Sequence, residues 1–192
     1  MITIYTYNGN VVKDITTGKW LTKKENSGPQ FDEVTVGTQT WMAKNLDIHE
    51  GFSGVYSANV GNFGTQYYYT PWVAEQIADT LEGWHLPTEA ECQTLITFLN
   101  GDSTKIRSTS GWRNANGTDD YGFNVLPVGY YRYANNQVQQ SGSLAVFAIP
   151  YTSDPKLLYV ADNDGGTGDD TILIEGYMPN NAYSVRLIKD TQ

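Results

Sequence analysis

Apolar residues recur at a helical spacing between residues 71 and 81. The stretch opens with Pro71, which the first position of a helix tolerates because the N–H group it lacks would have no intrahelical partner there. Apolar residues then follow at i, i+3, i+4 and i+7, the spacing of one helix face: Ala74, Ile77, Ala78 and Leu81. This pattern predicts a helix over 71–81.

Capping residues predict a second helix that begins after Thr88. The Thr88 hydroxyl can accept a hydrogen bond from the backbone N–H of Glu91, whose carboxylate can reach back to Thr88. The Asn-Gly pair at 100–101 is a stop signal. The apolar face in between carries Cys92, Leu95, Ile96 and Leu99. Because a free cysteine on such a face behaves as a small hydrophobic residue, we expect Cys92 to pack in the core rather than act as a nucleophile.

Shorter apolar runs separated by turn residues predict strands elsewhere. Between Glu33 and Met42, two runs flank a turn that contains Gly37, which favours two short strands with a tight connection. Beyond residue 105 there is no helical period, and short apolar runs lie at 123–128, 144–149, 157–160, 172–174 and 183–188. We therefore expect strands and long loops in the carboxyl half.

The first 30 residues are set apart by the same pattern. Residues 1–22 show β-branched and aromatic residues around Asn8 and Gly9, a strong hairpin signal. Residues 23–30 carry charges and Ser-Gly-Pro but no apolar side chain. The sequence therefore predicts an N-terminal β-hairpin or anchoring segment, 1–30, and one core domain, 31–192.

Composition argues against several classes of partner and site. The formal net charge is −9 and Lys and Arg do not cluster, so we expect no nucleic-acid partner. A single cysteine cannot form an intrachain disulfide. No apolar run approaches the about 18 residues of a membrane span, and the N-terminus lacks the regions of a signal peptide. We expect synthesis in the cytoplasm without a signal peptide, and no membrane insertion.

Four segments occur in an order that is specific for one family. They are VTVGTQTWMAKNL at 34–46, GWHLPTEAE at 83–91, SGW leading to GTDDYGF at 110–123, and SVRLIKD at 184–190. Together they resemble the Fibrobacter succinogenes major paralogous domain over residues 31–190. That family is similar to the C-type-lectin fold used in formylglycine-generating enzymes and in the variable receptor-binding proteins of diversity-generating retroelements.

The resemblance implies an α+β, C-type-lectin-like fold. Two helices would pack on twisted antiparallel strands, with long loops in the carboxyl half. We expect structural roles for Trp41, Trp84, Trp112 and Cys92. The chain departs from the family at 145–152, AVFAIPYT, where family members usually carry an aromatic-Ser-Ser-Thr segment. The ligand surface is therefore expected to be remodelled.

The histidines and the cysteine argue against catalysis. His85 is flanked by apolar residues and would point to the other side of an extended segment, and His49 is the only other histidine. We therefore expect no zinc site and no histidine-based acid–base set. Formylglycine-generating enzymes use a cysteine pair with copper, which Cys92 alone cannot supply. Carboxylates in Gly-rich loops lack the buried setting of a glycosidase pair, so we expect no enzyme and a structural or surface role for His85.

Acidic residues concentrate between 150 and 180. The stretch holds six carboxylates against Lys156, and the run Asp-Asn-Asp-Gly at 162–165 starts like a calcium loop. The match ends at Leu173, where an EF-hand loop has a bidentate Glu, and the Glu-Pro-Asn and Gln-Pro-Asp signatures of calcium-binding lectins are absent. We expect no cofactor and a solvated acidic loop. The alternative is a calcium site at Asp162, Asp164, Asp169 and Asp170.

Tyrosine and asparagine are frequent in the carboxyl-half loops. Paratopes favour both residues, because tyrosine gives a large contact area at low entropic cost and asparagine gives adaptable hydrogen bonds. The alternative is that many of the tyrosines fill a β-rich core with their hydroxyls at its rim. For ligand contact we predict Tyr131, Tyr133, Asn135, Tyr151, Asp154, Asn163, Asp164, Tyr177, Asn180 and Asn181.

These observations predict a non-enzymatic ligand-binding domain for adhesion or receptor recognition. Since the chain shows no export signal yet resembles extracellular recognition domains, we expect it on a phage particle, as a fibre, tail or decoration component beside other virion subunits. Its partner would be a bacterial surface glycan or protein, and residues 1–30 would anchor the chain or form a homotrimer. The alternative is a structural virion protein that decorates or cements the particle without a ligand of its own.

Overall fold

The computed structural model describes residues 4–7, 10–14, 31–162, 171–176 and 180–191. The chain divides into two compact units, 1–30 and 31–192. In the first unit, β1 (Ile4–Tyr7) pairs antiparallel with β2 (Asn10–Asp14). Residues 15–30 lie outside the described part, so the anchoring and trimerising role of this unit stays a prediction.

The second unit is mixed α+β, with two α-helices and antiparallel sheets among its described residues. Neither helix is long and apolar enough to cross a membrane. The elements are β3 (Glu33–Val36), β4 (Gln39–Met42), β5 (Val55–Asn59), β6 (Thr65–Tyr69), α1 (Pro71–Ala78), β7 (Trp84–His85), α2 (Glu89–Leu99), β8 (Tyr130–Arg132), β9 (Gln137–Gln139), β10 (Leu144–Ala148), β11 (Lys156–Ala161), β12 (Thr171–Gly176), β13 (Asn181–Ala182) and β14 (Ile188–Lys189).

Four sheets occur among the described residues of this unit, and the last strand, β14, pairs with β4 near the start of the unit. The strand orders are β3-β4-β14-β7, β5-β6, β13-β8-β9 and β10-β11-β12, and each strand pair is antiparallel. In the four-stranded sheet, Ile188 of β14 pairs with Trp41 on one side and with His85 on the other. The carboxyl-terminal segment therefore holds β4 and β7 together.

The two helices follow the local signals closely. The capping box of α2 is present, since the Thr88 hydroxyl accepts a hydrogen bond from Glu91 N at 3.2 Å and the Glu91 carboxylate accepts one from Thr88 N at 2.8 Å. The helix ends at Asn100, which adopts the left-handed conformation. The predicted helix over 71–81 ends earlier, at Ala78, because the chain tightens into a turn there, where Thr80 N donates to Ile77 O.

Strand β10 lies between two layers of the hydrophobic core and contributes side chains to both. Ala145 and Phe147 pack with Trp41 and α2, whereas Val146 and Ala148 face α1 and the segment around Tyr183. Because both faces of β10 are covered, its sequence is continuously apolar. Trp41, Trp112 and Cys92 are buried in the first layer, but Trp84 is only half-buried.

Most of the predicted apolar run 183–188 is not a strand, since only Ile188 belongs to one, β14. The predicted run 123–128 is not a strand either. Its Val125 makes only an isolated bridge with Arg107. Asn124 has a positive φ of 51°, which a strand does not accommodate, and Pro127 removes a backbone donor. The run is apolar because Phe123, Val125 and Val128 are buried from a loop.

A buried arginine connects three distant segments. Arg186 is 2% exposed. Its guanidinium donates from Nε to Asn45 Oδ1 at 2.8 Å, from Nη1 to the carbonyls of Met42 and Phe123 at 3.2 and 2.6 Å, and from Nη2 to Asn124 O at 3.2 Å. Burial lowers the pKa of Arg186 to about 9, so the side chain is still protonated at neutral pH.

We expect Arg186→Lys to lower the free energy of unfolding by about 3 kcal/mol, because a point-like ammonium cannot satisfy acceptors that a planar fork reaches in several directions. Urea unfolding followed by tryptophan fluorescence measures this loss. Arg132→Lys, at an exposed position of β8, is the control and should change stability by less than about 0.5 kcal/mol. Equal small effects for the two variants would contradict the role given to Arg186.

Candidate functional site

A cleft of about 550 Å³ opens at the end of α1. The buried side chains of Ala78, Leu81 and Leu86 contribute apolar surface to it, and Trp84 and Pro150 line it as well. Its remaining lining is mostly acidic: Glu75, Asp79, Glu82 and Asp190. The volume lies within the range of pockets that hold small molecules.

The cleft exists because the chain reverses sharply after α1. Gly83 has a φ of +84°, a conformation that favours glycine, and it leads directly into β7. Asp190 N donates to Gly83 O at 2.9 Å, so the residue after β14 lies beside this turn. The end of α1, the start of β7 and the carboxyl-terminal segment therefore line one opening.

His85 lies in the cleft between two carboxylates. Its Nδ1 is 2.6 Å from Asp190 Oδ1, and its Nε2 is 3.0 and 3.1 Å from the two oxygens of Glu91. Burial favours the neutral ring, but the hydrogen bonds and charges of the two carboxylates outweigh it, so the pKa of His85 is raised. Burial opposes the charged form of Glu91, yet hydrogen bonds from Thr88 and His85 lower the pKa of that carboxylate.

This arrangement acts as a clamp between β7, α2 and the carboxyl-terminal segment. Both ring nitrogens of His85 have carboxylate partners in this structure. The sequence predicts a structural or surface role for His85 but not the identity of its partners. Asp190 is 105 residues away along the chain, and no local pattern indicates that contact.

Two exposed aromatic residues adjoin residues that line the cleft. Trp72 is 65% exposed and lies on α1 one turn before Glu75. Tyr151 is 55% exposed, follows Pro150, and donates its backbone N–H to Glu75 Oε1 at 2.6 Å. Tyr151 was predicted as a ligand residue, whereas Trp72 was missed. The exposure of Trp72 could have been predicted from the sequence, because this residue lies outside the apolar face of its helix.

A smaller hollow of about 120 Å³ adjoins the cleft and shares Thr88 and Pro150 with it. Asp154, another predicted ligand residue, lines this hollow and lies 3.5 Å from Lys156. Lys156 also pairs with Glu89 of α2 at 2.9 Å. The loop that follows β10 therefore brings two predicted ligand residues to this end of the domain.

The other described ligand candidates lie on β8, β13 and the adjoining turns. Tyr133 donates its hydroxyl to Asn181 O at 2.6 Å, and the ring of Tyr56 stacks on Tyr131 and Tyr133 at 4.8 and 5.0 Å. Asn135 and Asn180 are exposed.

Two of these candidates are buried. Tyr131 is 9% and Asn181 6% exposed, so neither side chain presents much surface to a ligand. Tyr131 is buried because β8 is the central strand of its sheet and packs on the aromatic residues of β5 and β6. For Tyr131 the structure therefore agrees with the alternative interpretation, in which tyrosines fill the core.

The remaining predicted site residues lie outside the described part of the chain: Asn163, Asp164, Asp169, Asp170 and Tyr177. Asp162 is described and buried. Its Oδ2 accepts the N–H of Asn114 at 2.9 Å, and its Oδ1 has no hydrogen-bond partner among the described residues. Within those residues no group of three His, Cys, Asp or Glu side chains is placed to hold a metal. The calcium alternative stays a prediction.

Comparisons with protein-family models, with curated proteins and with solved structures give no match for this chain. The resemblance to the Fibrobacter succinogenes major paralogous domain therefore stays a prediction from the four motifs.

We expect the imidazole of His85 to titrate above its ordinary pKa of 6.5 in an NMR pH series, with His85→Gln used to assign its signals. Asp190→Asn should lower that pKa, because it removes the shorter of the two charge-assisted contacts. Asp32→Asn, which removes a carboxylate paired with Lys44, should leave it unchanged. A His85 pKa that does not respond to Asp190→Asn would contradict the clamp.

The sign of the linked stability follows from the raised pKa. Folding favours the protonated ring, so the stabilisation by His85 is complete below pH 6.5 and is lost as the pH rises through the raised pKa. Glu91 acts oppositely: its lowered pKa contributes stability above pH 4.5 that is lost as the pH falls through the lowered value. The clamp is therefore strongest at mildly acidic pH.

Proposed function

We propose that the chain is a non-enzymatic ligand-binding domain that holds a glycan in the cleft next to α1. The observation that carries this proposal is the placement of Trp72 and Tyr151. Both are strongly exposed, and both adjoin residues that line the same cleft. Exposed apolar rings grouped beside a cleft favour recognition, whereas rings scattered singly need no explanation.

The chemistry of the cleft suits a sugar. The C–H faces of a sugar ring stack on aromatic rings, and its hydroxyl groups donate to carboxylates. Trp72 and Tyr151 supply such rings. Glu75 connects the two residues, because it follows Trp72 by one helical turn and its carboxylate accepts a hydrogen bond from Tyr151 N. The adjoining hollow that Asp154 lines extends the same surface.

Two side chains support a binding role over catalysis. His85 has both ring nitrogens engaged by carboxylates. The thiol of Cys92 is fully buried, and burial raises its pKa to about 12, so it is not a thiolate at neutral pH.

We also propose that the fold is C-type-lectin-like. The motif segments that carry the family resemblance converge in space, which supports this. Segments 34–46, 83–91 and 184–190 supply all the strands of the four-stranded sheet, and Arg186 bonds to Phe123 of the remaining segment. Motifs that meet at one place are typical of a shared scaffold.

The proposed setting is a phage particle, on which residues 1–30 attach the chain to other virion subunits and the cleft binds a bacterial surface glycan. The alternative function is that of a structural virion protein that decorates or cements the particle without a ligand of its own. An apolar hollow of about 360 Å³ around Phe98 favours that second candidate, because Phe98 is 45% exposed there beside Val36. A neighbouring subunit would cover such a surface.

We expect Trp72→Ala and Tyr151→Ala each to weaken glycan binding about tenfold or more, because each removes a stacking surface. A glycan array identifies the ligand. Calorimetric titration and binding to intact bacterial cells then measure the loss of affinity. Repeating the measurements with a calcium chelator tests whether a bound cation contributes. Phe98→Ala is the matched control, since it removes an exposed ring outside the cleft.

The outcomes separate the candidates. If Phe98→Ala weakens binding as much as the cleft variants, the site is misplaced. If Asn135→Ala or Asn180→Ala abolishes binding instead, the surface near β8 and β13 is the ligand site. If the protein binds neither glycans nor cells and still assembles onto particles, the cementing function replaces the proposed one.

A further inference from the structure

His85 lies between two groups that accept hydrogen bonds. Its Nδ1 is 2.6 Å from Asp190 Oδ1, and its Nε2 is 3.0 Å from Glu91 Oε1. A protonated imidazole donates from both ring nitrogens, so it satisfies both carboxylates at once. A neutral imidazole carries a single N–H, so its other nitrogen would direct a lone pair at a carboxylate oxygen. The observed geometry of the clamp therefore fits the protonated ring and not the neutral one.

Of the two carboxylates, that of Asp190 is the less restrained. The Glu91 carboxylate also accepts hydrogen bonds from N and Oγ1 of Thr88, each at 2.8 Å, and these belong to the capping box of α2. Among the described residues, the Asp190 carboxylate bonds to His85 and to no other side chain, and the Asp190 side chain is 55% exposed. Loss of the proton from His85 should therefore release Asp190 and leave Glu91 in place.

The other charged groups near the clamp cannot replace the lost contact. Lys189, which precedes Asp190, pairs with Glu33 at 2.5 Å. On the side of α2, Glu89 is engaged by Lys156 at 2.9 Å. The acidic residues that line the same cleft from α1 and the turn after it are Glu75, Asp79 and Glu82. Since like charges repel, these carboxylates favour the movement of a released Asp190 side chain towards solvent.

We propose that a proton operates the clamp: the protonated ring of His85 holds the Asp190 side chain, and the neutral ring releases it. The raised pKa of His85 has the matching sign, because the folded protein stabilises the protonated ring. The clamp is therefore closed below the raised pKa and opens as the pH rises through it.

His85 and Asp190 both line the cleft, so the opening of the clamp changes the surface that a ligand meets. The Asp190 side chain leaves its place in the lining, whereas the backbone hydrogen bond from Asp190 N to Gly83 O does not involve the ring and should persist. A ligand that binds the closed arrangement is then held at mildly acidic pH and bound more weakly at alkaline pH. This consequence rests on the proposed function, whereas the clamp itself is a property of the free protein.

The first test needs no ligand. In an NMR series from about pH 5.5 to about pH 9, the Hα–Hβ coupling constants of Asp190 report whether its side chain keeps one rotamer. We expect one rotamer while His85 is protonated and averaged couplings once the ring is neutral, with the same midpoint as the titration of His85. Couplings that stay fixed through that titration, or that are averaged at every pH, overturn the proposal.

The variant Asp190→Asn separates the contact from the proton. A side-chain amide can donate to the unprotonated Nδ1 of a neutral ring while Nε2–H donates to Glu91, so this variant should keep one rotamer throughout the series. The control is His49→Gln, which removes the other histidine, an exposed residue that does not line the cleft. The control should behave as the wild type does. A release of residue 190 that persists in Asp190→Asn, or that disappears in His49→Gln, contradicts the assignment to His85.

The second test measures the affinity for a glycan found on the array, by calorimetric titration at about pH 5.5 and about pH 9. For the wild type and His49→Gln we expect binding at least about threefold weaker at the higher pH, and for Asp190→Asn equal affinities. If Asp190 is released but the affinity does not change, control of the ligand by the clamp is wrong. If no glycan binds at either pH, the proposed function fails, and the couplings of Asp190 still decide whether a proton operates the clamp.

Discussion

The buried charge of Arg186 is the constraint on which the domain depends. A guanidinium that is almost fully removed from water must have its donors satisfied, and its hydrogen bonds reach Met42, Asn45, Phe123 and Asn124. These acceptors belong to segments that are far apart in the sequence. Satisfying one side chain therefore fixes the carboxyl-terminal segment between β4 and β7.

The candidate site is a consequence of that placement. Once β14 lies beside β7, Asp190 reaches His85, and the histidine clamps the start of α2 through Glu91. The turn at Gly83 then leaves an opening beside the end of α1 and the start of β7. The candidate site is buried on the side that meets the sheet and exposed at Trp72 and Tyr151.

The proposed function gives different tasks to the exposed side chains and to the scaffold near the cleft. The exposed rings of Trp72 and Tyr151 would provide the contact with a sugar face, whereas the buried residues beneath them position the rings. A binding module can change its ligand class by altering such exposed side chains while the scaffold stays the same.

The sequence by itself determined the parts that depend on neighbours along the chain. The capping box of Thr88 and Glu91 predicted the start of α2, and apolar spacing predicted both helices and the hairpin of β3 and β4. Tertiary structure alone decided the site. Periodicity shows which face of a strand is buried but not which segment covers that face. It therefore could not predict the contact of His85 with Asp190, 105 residues away, or that of Glu75 with Tyr151, 76 residues away. For the same reason the frequency of tyrosine and asparagine in the loops could not separate Tyr131 from the exposed tyrosines, although the packing of β8 against β5 and β6 buries that ring.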